Sequence, residues 1–92
     1  MSSMDAFKDL DVISTAMATV GFALLFAENG PMDSGVADFS DGVSKLRIIK
    51  DRSQWMLEGV RDQLEPFGLW RVFDDTQEFR ATLLTYVARS SV

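Results

Sequence analysis

The sequence predicts an all-α protein: a long antiparallel helical hairpin closed by a shorter third helix, and paired with a second copy as a helical-bundle homodimer. Three observations predict this class. Residues 12–27 carry no charged side chain, apolar residues recur through 33–65 at helical spacing, and residues 75–78 are typical of a helix start. We expect one helical domain over residues 1–92, because a chain of this length forms a single hydrophobic core.

The uncharged stretch is expected to form a helix from about Met4 to Ala27. Its apolar residues follow spacings of three and four, which place them on one stripe of a helix. They are Leu10, Ile13, Met17, Val20, Leu24 and Ala27. The other faces are small or apolar, so such a helix is normally buried all round. The run is shorter than the roughly 20 residues of a membrane span, and acids rather than bases precede it, so neither a membrane span nor a secretory leader is indicated.

A second helix is expected over residues 33–65. Its apolar residues follow a seven-residue period with two polar gaps. Gly35 and Gly42 weaken the first third, which leaves open a break near residue 40 and hence two helices instead of one. Pro66 ends this segment, because the residue before a proline is pushed out of helical geometry. The short connection between the first two helices makes them antiparallel neighbours.

Residues 67–73 are rich in aromatic and branched side chains, and two interpretations stay open. The first is a connector or a single helical turn that plugs the end of the hairpin with Leu69, Trp70 and Phe73. The second is a strand offered to the sheet edge of a symmetry mate or of a partner. A strand inside the chain is not expected, because the all-α fold leaves it no mate.

A third helix is expected to start at Asp75-Thr76-Gln77-Glu78. This stretch has an acceptor at the cap and a Glu three residues later, which is the pattern of a capping box. The helix should continue to about Arg89. Its apolar face consists of Phe79, Leu83, Tyr86 and Val87.

The composition argues against an enzyme. The chain has no His and no Cys, so the commonest general base, the commonest metal ligand and all thiol chemistry are missing. Its acidic pairs are explained by salt bridges along helices and by helix capping, so we expect neither a metal nor a cofactor. The lack of cysteine also gives no indication of a secreted, disulfide-bonded scaffold, so a cytoplasmic location is expected.

The charge distribution indicates a protein partner. The net charge is −5, and residues 1–44 hold seven acids against a single lysine. Residues 45–92 hold seven acids and eight bases. Direct binding of nucleic acid is not expected, because it needs a basic face that neutralises phosphates. The large apolar fraction, 47% of the chain, instead favours self-association or a standing partner.

The expected contact residues are tryptophans and basic side chains. Trp55, Trp70 and Arg71 are the first candidates, since Trp and Arg are over-represented at binding hot spots. Arg47, Lys50 and Arg52 come next, since they flank the apolar seam of the second helix. These bases are either the ordinary charged margin of an amphipathic helix or an anion site with Trp55 as a stacking surface.

The sequence therefore predicts a non-catalytic protein-interaction module. It would be a small acidic adaptor or a stoichiometric inhibitor that occludes a partner protein, of the kind that a phage or another mobile element encodes. The alternative is an oligomeric protein that binds a small anion or a nucleotide through Arg47, Lys50 and Arg52. The chain has no Gly-rich phosphate loop that would support this alternative.

Overall fold

A four-stranded antiparallel sheet forms the centre of the fold. The computed structural model describes Phe7 and residues 9–90. The strands lie in chain order, so each is joined to the next by a tight turn, and helices precede and follow them. The elements are α1 (Leu10–Ala18), β1 (Ala23–Gly30), β2 (Ser34–Ser40), β3 (Lys45–Asp51), β4 (Gln54–Leu57), α2 (Arg61–Leu64), a 3₁₀ helix (Glu65–Phe67) and α3 (Thr76–Ser90).

The all-α prediction, with its helical hairpin and helical-bundle dimer, is wrong. Most of the expected second helix, 33–65, forms β2, β3 and β4. Only its end is helical, in the short α2 and the first residue of the 3₁₀ helix, so neither one long helix nor two helices broken near residue 40 is present. Burial in β2 alternates with a period of two. Ala37 and Phe39 are buried, whereas Val36, next to Ala37 in the strand, is only half-buried. The seven-residue spacing was a coincidence of three strands separated by turns.

The first helix is shorter than expected, because the chain turns at Gly21. α1 ends at Ala18, and Gly21 follows with a φ of 86°, a left-handed conformation that glycine adopts without strain. The Phe22 N–H donates to the Met17 carbonyl over 3.0 Å and so closes the turn. The rest of the uncharged stretch then enters β1. The expected helix start near Met4 lies outside the described residues.

The turns of the sheet are fixed by left-handed residues and by one carboxylate. Arg52 and Ser53 form the two-residue turn between β3 and β4, with φ values of 52° and 70°, as a type I′ hairpin requires. Asp33, in the turn between β1 and β2, accepts hydrogen bonds from the Ser53 hydroxyl at 2.7 Å and from the Lys50 ammonium at 3.2 Å. This carboxylate therefore ties the two hairpin turns at one end of the sheet together.

The third helix is confirmed. α3 begins at Thr76, and the Asp75 carboxylate accepts a hydrogen bond from the Gln77 N–H at 3.2 Å. Its expected apolar face points inward, since Phe79, Leu83 and Val87 are buried and Tyr86 is half-buried. The local capping signal was sufficient to place this helix.

α1 and α3 pack against each other and cover one face of the sheet. Trp55 lies at the centre of this core, fully buried, with its ring stacked on Phe79 at 5.5 Å between centroids. Its indole N–H donates to the Thr76 hydroxyl at 3.0 Å, and that hydroxyl donates to the Asp9 carboxylate at 3.2 Å. This network joins β4, α3 and the start of α1. The core strand residues are Ala37, Phe39, Ile48, Trp55 and Leu57.

Candidate functional site

The second face of the sheet, which we call the outer face, carries a row of apolar side chains in register. Val36 on β2 pairs with Ile49 on β3, and Ile49 pairs with Met56 on β4. All three are half-buried, because neighbouring side chains cover only part of them. Within the described part of the chain both large helices lie on the other face, so this row faces outward.

Residues 69–73 extend the sheet beyond β4. Phe73 and Trp55 exchange two backbone hydrogen bonds, each 2.8 Å long, in an antiparallel bridge. This geometry places Val72 beside Met56 on the outer face, while Phe73 points into the core. The stretch is a connector that plugs the core with Leu69 and Phe73, as the first interpretation expects, whereas Trp70 stays at the surface. Its pairing with β4 of the same chain corrects the expectation that no strand of the chain is available to it.

A shallow groove lies between β4 and this connector. Its volume is about 210 Å³, and its walls are almost entirely apolar. Trp70 is 47% exposed at its rim. We call this feature the Trp70 groove; its lining consists of Met56, Leu57, Leu69, Trp70, Arg71 and Val72. Because Met56 also belongs to the apolar row, the groove and the row form one continuous surface.

An ion pair lies next to the apolar row. The Nε and Nη2 nitrogens of Arg47 donate to the two carboxylate oxygens of Asp38, at 2.7 and 3.0 Å. These hydrogen bonds hold the pKa of Asp38 below its ordinary value, and they raise the pKa of Arg47. Glu58 adds a smaller attraction that also raises the pKa of Arg47. The outer face thus presents one satisfied ion pair beside apolar side chains.

A second carboxylate with a lowered pKa lies in the turn between β2 and β3. Asp41 accepts hydrogen bonds from the backbone N–H groups of Ser44 and Val43, at 2.7 and 2.8 Å. These bonds stabilise the charged carboxylate and lower its pKa. Asp41 is therefore explained by turn formation and needs no ligand.

Two of the expected contact residues come together at the Trp70 groove. Trp70 forms its rim, and Arg71 lies beside it with its guanidinium 3.8 Å from the centroid of the Phe73 ring. The same guanidinium donates to the Glu78 carboxylate at 2.8 Å. Glu78 therefore pairs with the connector. Arg71 is held in place at the groove by these two contacts.

Two other expected contact residues are buried, so the expectation of an exposed Trp55 is wrong. Trp55 fills the core, and Lys50 is only 3% exposed. The Lys50 ammonium lies 4.9 Å from the centroid of the Trp55 ring and pairs with Asp33. A surface partner would not reach either side chain without opening the fold, so neither belongs to the candidate surface.

The three bases of the expected anion site do not converge. Arg47 points to the outer face, where its guanidinium forms an ion pair with Asp38. Lys50 points to the core. Arg52 is exposed in the turn between β3 and β4. In a strand, side chains at odd and even positions lie on opposite faces, so Arg47 and Lys50 cannot share one site. The alternative that uses this cluster gains no support from the geometry.

The apolar row was missed in the sequence because it depends on strand register. In the helix expected over 33–65, the spacing of Val36, Ile49 and Met56 puts them on one apolar seam, where they would have other neighbours than in the sheet. The period-two alternation around Phe39 and Ile48, bounded by Asp41-Gly42 and by Arg52-Ser53, is the signal that would have identified the strands.

The described residues contain no group of three or more carboxylates placed to hold a metal ion. Over the same residues, no helix has both the length and the apolar character of a membrane span. No protein-family model matches this chain, and no curated protein or solved structure shows significant similarity to it.

Proposed function

We propose that this protein is an interaction module that binds a partner protein through the outer face of its sheet, with the Trp70 groove as the anchor site. The observation that carries the proposal is the continuity of the apolar row with this groove. Three cross-strand neighbours run into a cleft whose rim is a half-exposed indole. Tryptophan next to a desolvated pocket is the residue type most often found at interaction hot spots.

The size of the groove favours a side chain of a protein over a small molecule. Sites for small molecules usually measure about 300–1,000 Å³ and enclose most of the ligand. The Trp70 groove holds about 210 Å³ and is a shallow surface cleft, not an enclosed cavity. It would accept one aliphatic or aromatic side chain of a partner, while the flat apolar row contacts the surface around that side chain.

The charge around the surface specifies the partner further. Glu28 lies opposite Val36 at one end of the row, and Glu58 follows β4 near the other end. Both carboxylates are exposed, and the net charge of the chain is −5. A partner with Lys or Arg around an apolar centre is complementary to this arrangement and would associate faster at low salt.

This mode of binding supports an adaptor or a stoichiometric inhibitor that acts by covering a partner. It needs no catalytic group, cofactor or metal. The strands of the sheet hold the surface in its binding conformation before a partner arrives. Little conformational entropy would therefore be lost on binding.

The test begins with photo-crosslinking. A photoreactive amino acid at position 72 should capture the partner from cells of the source organism, whereas the same group at position 43 should not. Val43 is 92% exposed in the turn between β2 and β3 and serves as the matched control.

Affinity of the purified partner then decides the assignment. Trp70→Ala and Met56→Lys should each weaken binding at least about tenfold, which is the scale of hot-spot truncation. Val43→Ala should leave the affinity unchanged. Equal affinities for all three variants, each verified as folded by circular dichroism, would refute the outer face as the binding surface.

A further inference from the structure

The hydrogen-bond ladder between β4 and residues 69–73 has a single rung. The backbone N–H and C=O groups of Trp55 point away from β3 and bond Phe73, at 2.8 Å each. Residues two apart in an antiparallel strand direct these groups to the same side, so those of Leu57 also point away from β3. The next residue agrees with this alternation, since the Glu58 N–H donates to the Arg47 carbonyl of β3.

Leu57 has no hydrogen-bond partner for these two groups in the described part of the chain. A second rung would join it to Arg71, two residues before Phe73, but the bridge between Trp55 and Phe73 is isolated. No bond from the Leu57 backbone to another described residue replaces this rung. Leu57 as a whole is buried, and buried backbone groups are almost always paired in folded proteins.

These two backbone groups face the Trp70 groove. Leu57 lines the groove, and its side chain belongs to the hydrophobic core, so its backbone is the part that faces the groove. The side chains of Met56, Trp70 and Val72 line the same groove. The groove therefore combines apolar walls with one hydrogen-bond donor and one acceptor at Leu57.

We propose that the Trp70 groove binds a tyrosine side chain of the partner protein, with the phenol hydroxyl bonded to the backbone of Leu57. The hydroxyl accepts a hydrogen bond from the Leu57 N–H and donates one to the Leu57 carbonyl, while the ring fills the apolar groove. This inference rests on the proposed function, because it names the side chain with which the partner is anchored.

Tyrosine matches this combination better than the other side chains of proteins. Its ring is a large apolar body, and its single hydroxyl is both a donor and an acceptor. A phenylalanine or leucine side chain would fill the groove, but it would leave the N–H and C=O groups of Leu57 without a partner and without water, which weakens binding. A tryptophan indole offers a donor only, and a side-chain amide does not cover the apolar walls.

Amide hydrogen exchange of the free chain, measured by NMR, tests the donor at Leu57. Its amide should exchange at least about tenfold faster than the amides of Trp55 and Met56, which are bonded to Phe73 and to β3. Equal protection of Leu57 and Trp55 would show that the Leu57 N–H already has a partner, and it would overturn the proposal.

Titration with p-cresol and with toluene, followed by NMR, tests the groove itself. These probes reproduce the side chains of tyrosine and phenylalanine, and they differ by one hydroxyl group. We expect p-cresol to bind about tenfold more tightly than toluene, although toluene is the more hydrophobic probe. It should shift the signals of the Leu57 amide and the Trp70 indole. Trp70→Ala should abolish the shift at Leu57, whereas Val43→Ala should retain it.

Toluene that binds as tightly as p-cresol would overturn the tyrosine anchor, and so would a p-cresol shift at Leu57 that survives in Trp70→Ala. A photoreactive group at position 72 that still captures a partner in either case would leave the proposed function in place. The two proposals therefore fail separately.

Discussion

Ser14 in α1 is buried, and its hydroxyl oxygen has no hydrogen-bond partner among the described residues. A buried hydroxyl without a partner loses its hydration and gains nothing in return. We expect Ser14→Ala to raise the free energy of unfolding by about 1 kcal/mol, with part of the gain from the higher helix propensity of alanine.

Urea denaturation measures this change. The control is Thr19→Ala, because the Thr19 hydroxyl donates to the Ala16 carbonyl at 2.6 Å. The loss of this bond should lower stability by about 0.5–1 kcal/mol. A Ser14→Ala variant that is less stable than wild type would show that the hydroxyl is satisfied in solution.

The ion pair on the outer face gives a pH dependence with a defined sign. Hydrogen bonds from Arg47 lower the pKa of Asp38 in the folded chain. Its contribution to stability is therefore present above the ordinary pKa of the carboxyl group and is lost as the pH falls through the lowered value. We expect Asp38→Asn to be slightly less stable than wild type at neutral pH, with the difference disappearing in acid.

The measurement is urea denaturation at several values between about pH 7 and pH 2, a range that begins above the ordinary carboxyl pKa and extends below it. The Asp38→Asn/Arg47→Gln double variant should be no less stable than either single variant, since all three lack the same ion pair. A stability difference that grows on acidification would contradict the assignment.

At the scale of elements, β1 and β2 are close-packed at Gly35. A methyl group on this residue would lie 2.4 Å from a ring carbon of Phe7 and 2.7 Å from the backbone oxygen of Glu28. The backbone oxygen cannot move without breaking the strand pair. We expect Gly35→Ala to lower the free energy of unfolding by about 1–3 kcal/mol, as overpacking does.

Thermal denaturation of Gly35→Ala and Gly30→Ala provides the comparison. A methyl group on Gly30 would meet the Ser34 hydroxyl at 2.8 Å, and that side chain can rotate away. Its cost should stay below about 1 kcal/mol. Equal losses of stability at the two positions would mean that the backbone of β1 at Glu28 moves away from the added methyl group. The pairing of β1 with β2 would then be loose at Gly35.

How much of the fold the sequence predicts differs between elements for a physical reason. α3 follows from a local signal, because Asp75 caps the helix whatever the rest of the chain does. β2 and β3 were assigned to a helix, because apolar residues seven apart fit a helical seam and a strand–turn–strand unit alike. Only long-range pairing decides between them, and a pattern along one segment does not contain it.

Parts of the candidate site were likewise predictable from local sequence, and other parts depend on long-range strand pairing. Trp70 and Arg71 were expected at a surface from residue type alone, and the structure places both at one groove. Whether they bind a partner stays a prediction. The row from Val36 to Met56 depends on the register of three strands, so residue type could not reveal it.

At the scale of the whole molecule, Thr76 connects the two ends of the described chain. Its hydroxyl accepts a hydrogen bond from the Trp55 indole and donates one to the Asp9 carboxylate. One oxygen atom therefore links β4, α3 and the start of α1. We expect Thr76→Val to lower the free energy of unfolding by about 1–3 kcal/mol, because a buried indole N–H loses its acceptor.

The control is Thr82→Val on the same helix, where the hydroxyl donates only to the Glu78 carbonyl one turn earlier. Its loss should cost less than about 0.5 kcal/mol. Hydrogen exchange should also show faster opening of α1 in Thr76→Val than in Thr82→Val. Unchanged protection of α1 would mean that the network does not couple the helices.

The opposite placement of the two indoles has a practical consequence. Trp55 lies in an apolar interior, so its fluorescence should be blue-shifted and should report loss of the core when the chain denatures. Trp70 is half-exposed to solvent at the groove, so its emission should be red-shifted and open to quenching by acrylamide. A molecule that binds over the indole should alter this emission. Trp55→Phe and Trp70→Phe would separate the two spectra, and the wild-type chain carries both optical probes without a label.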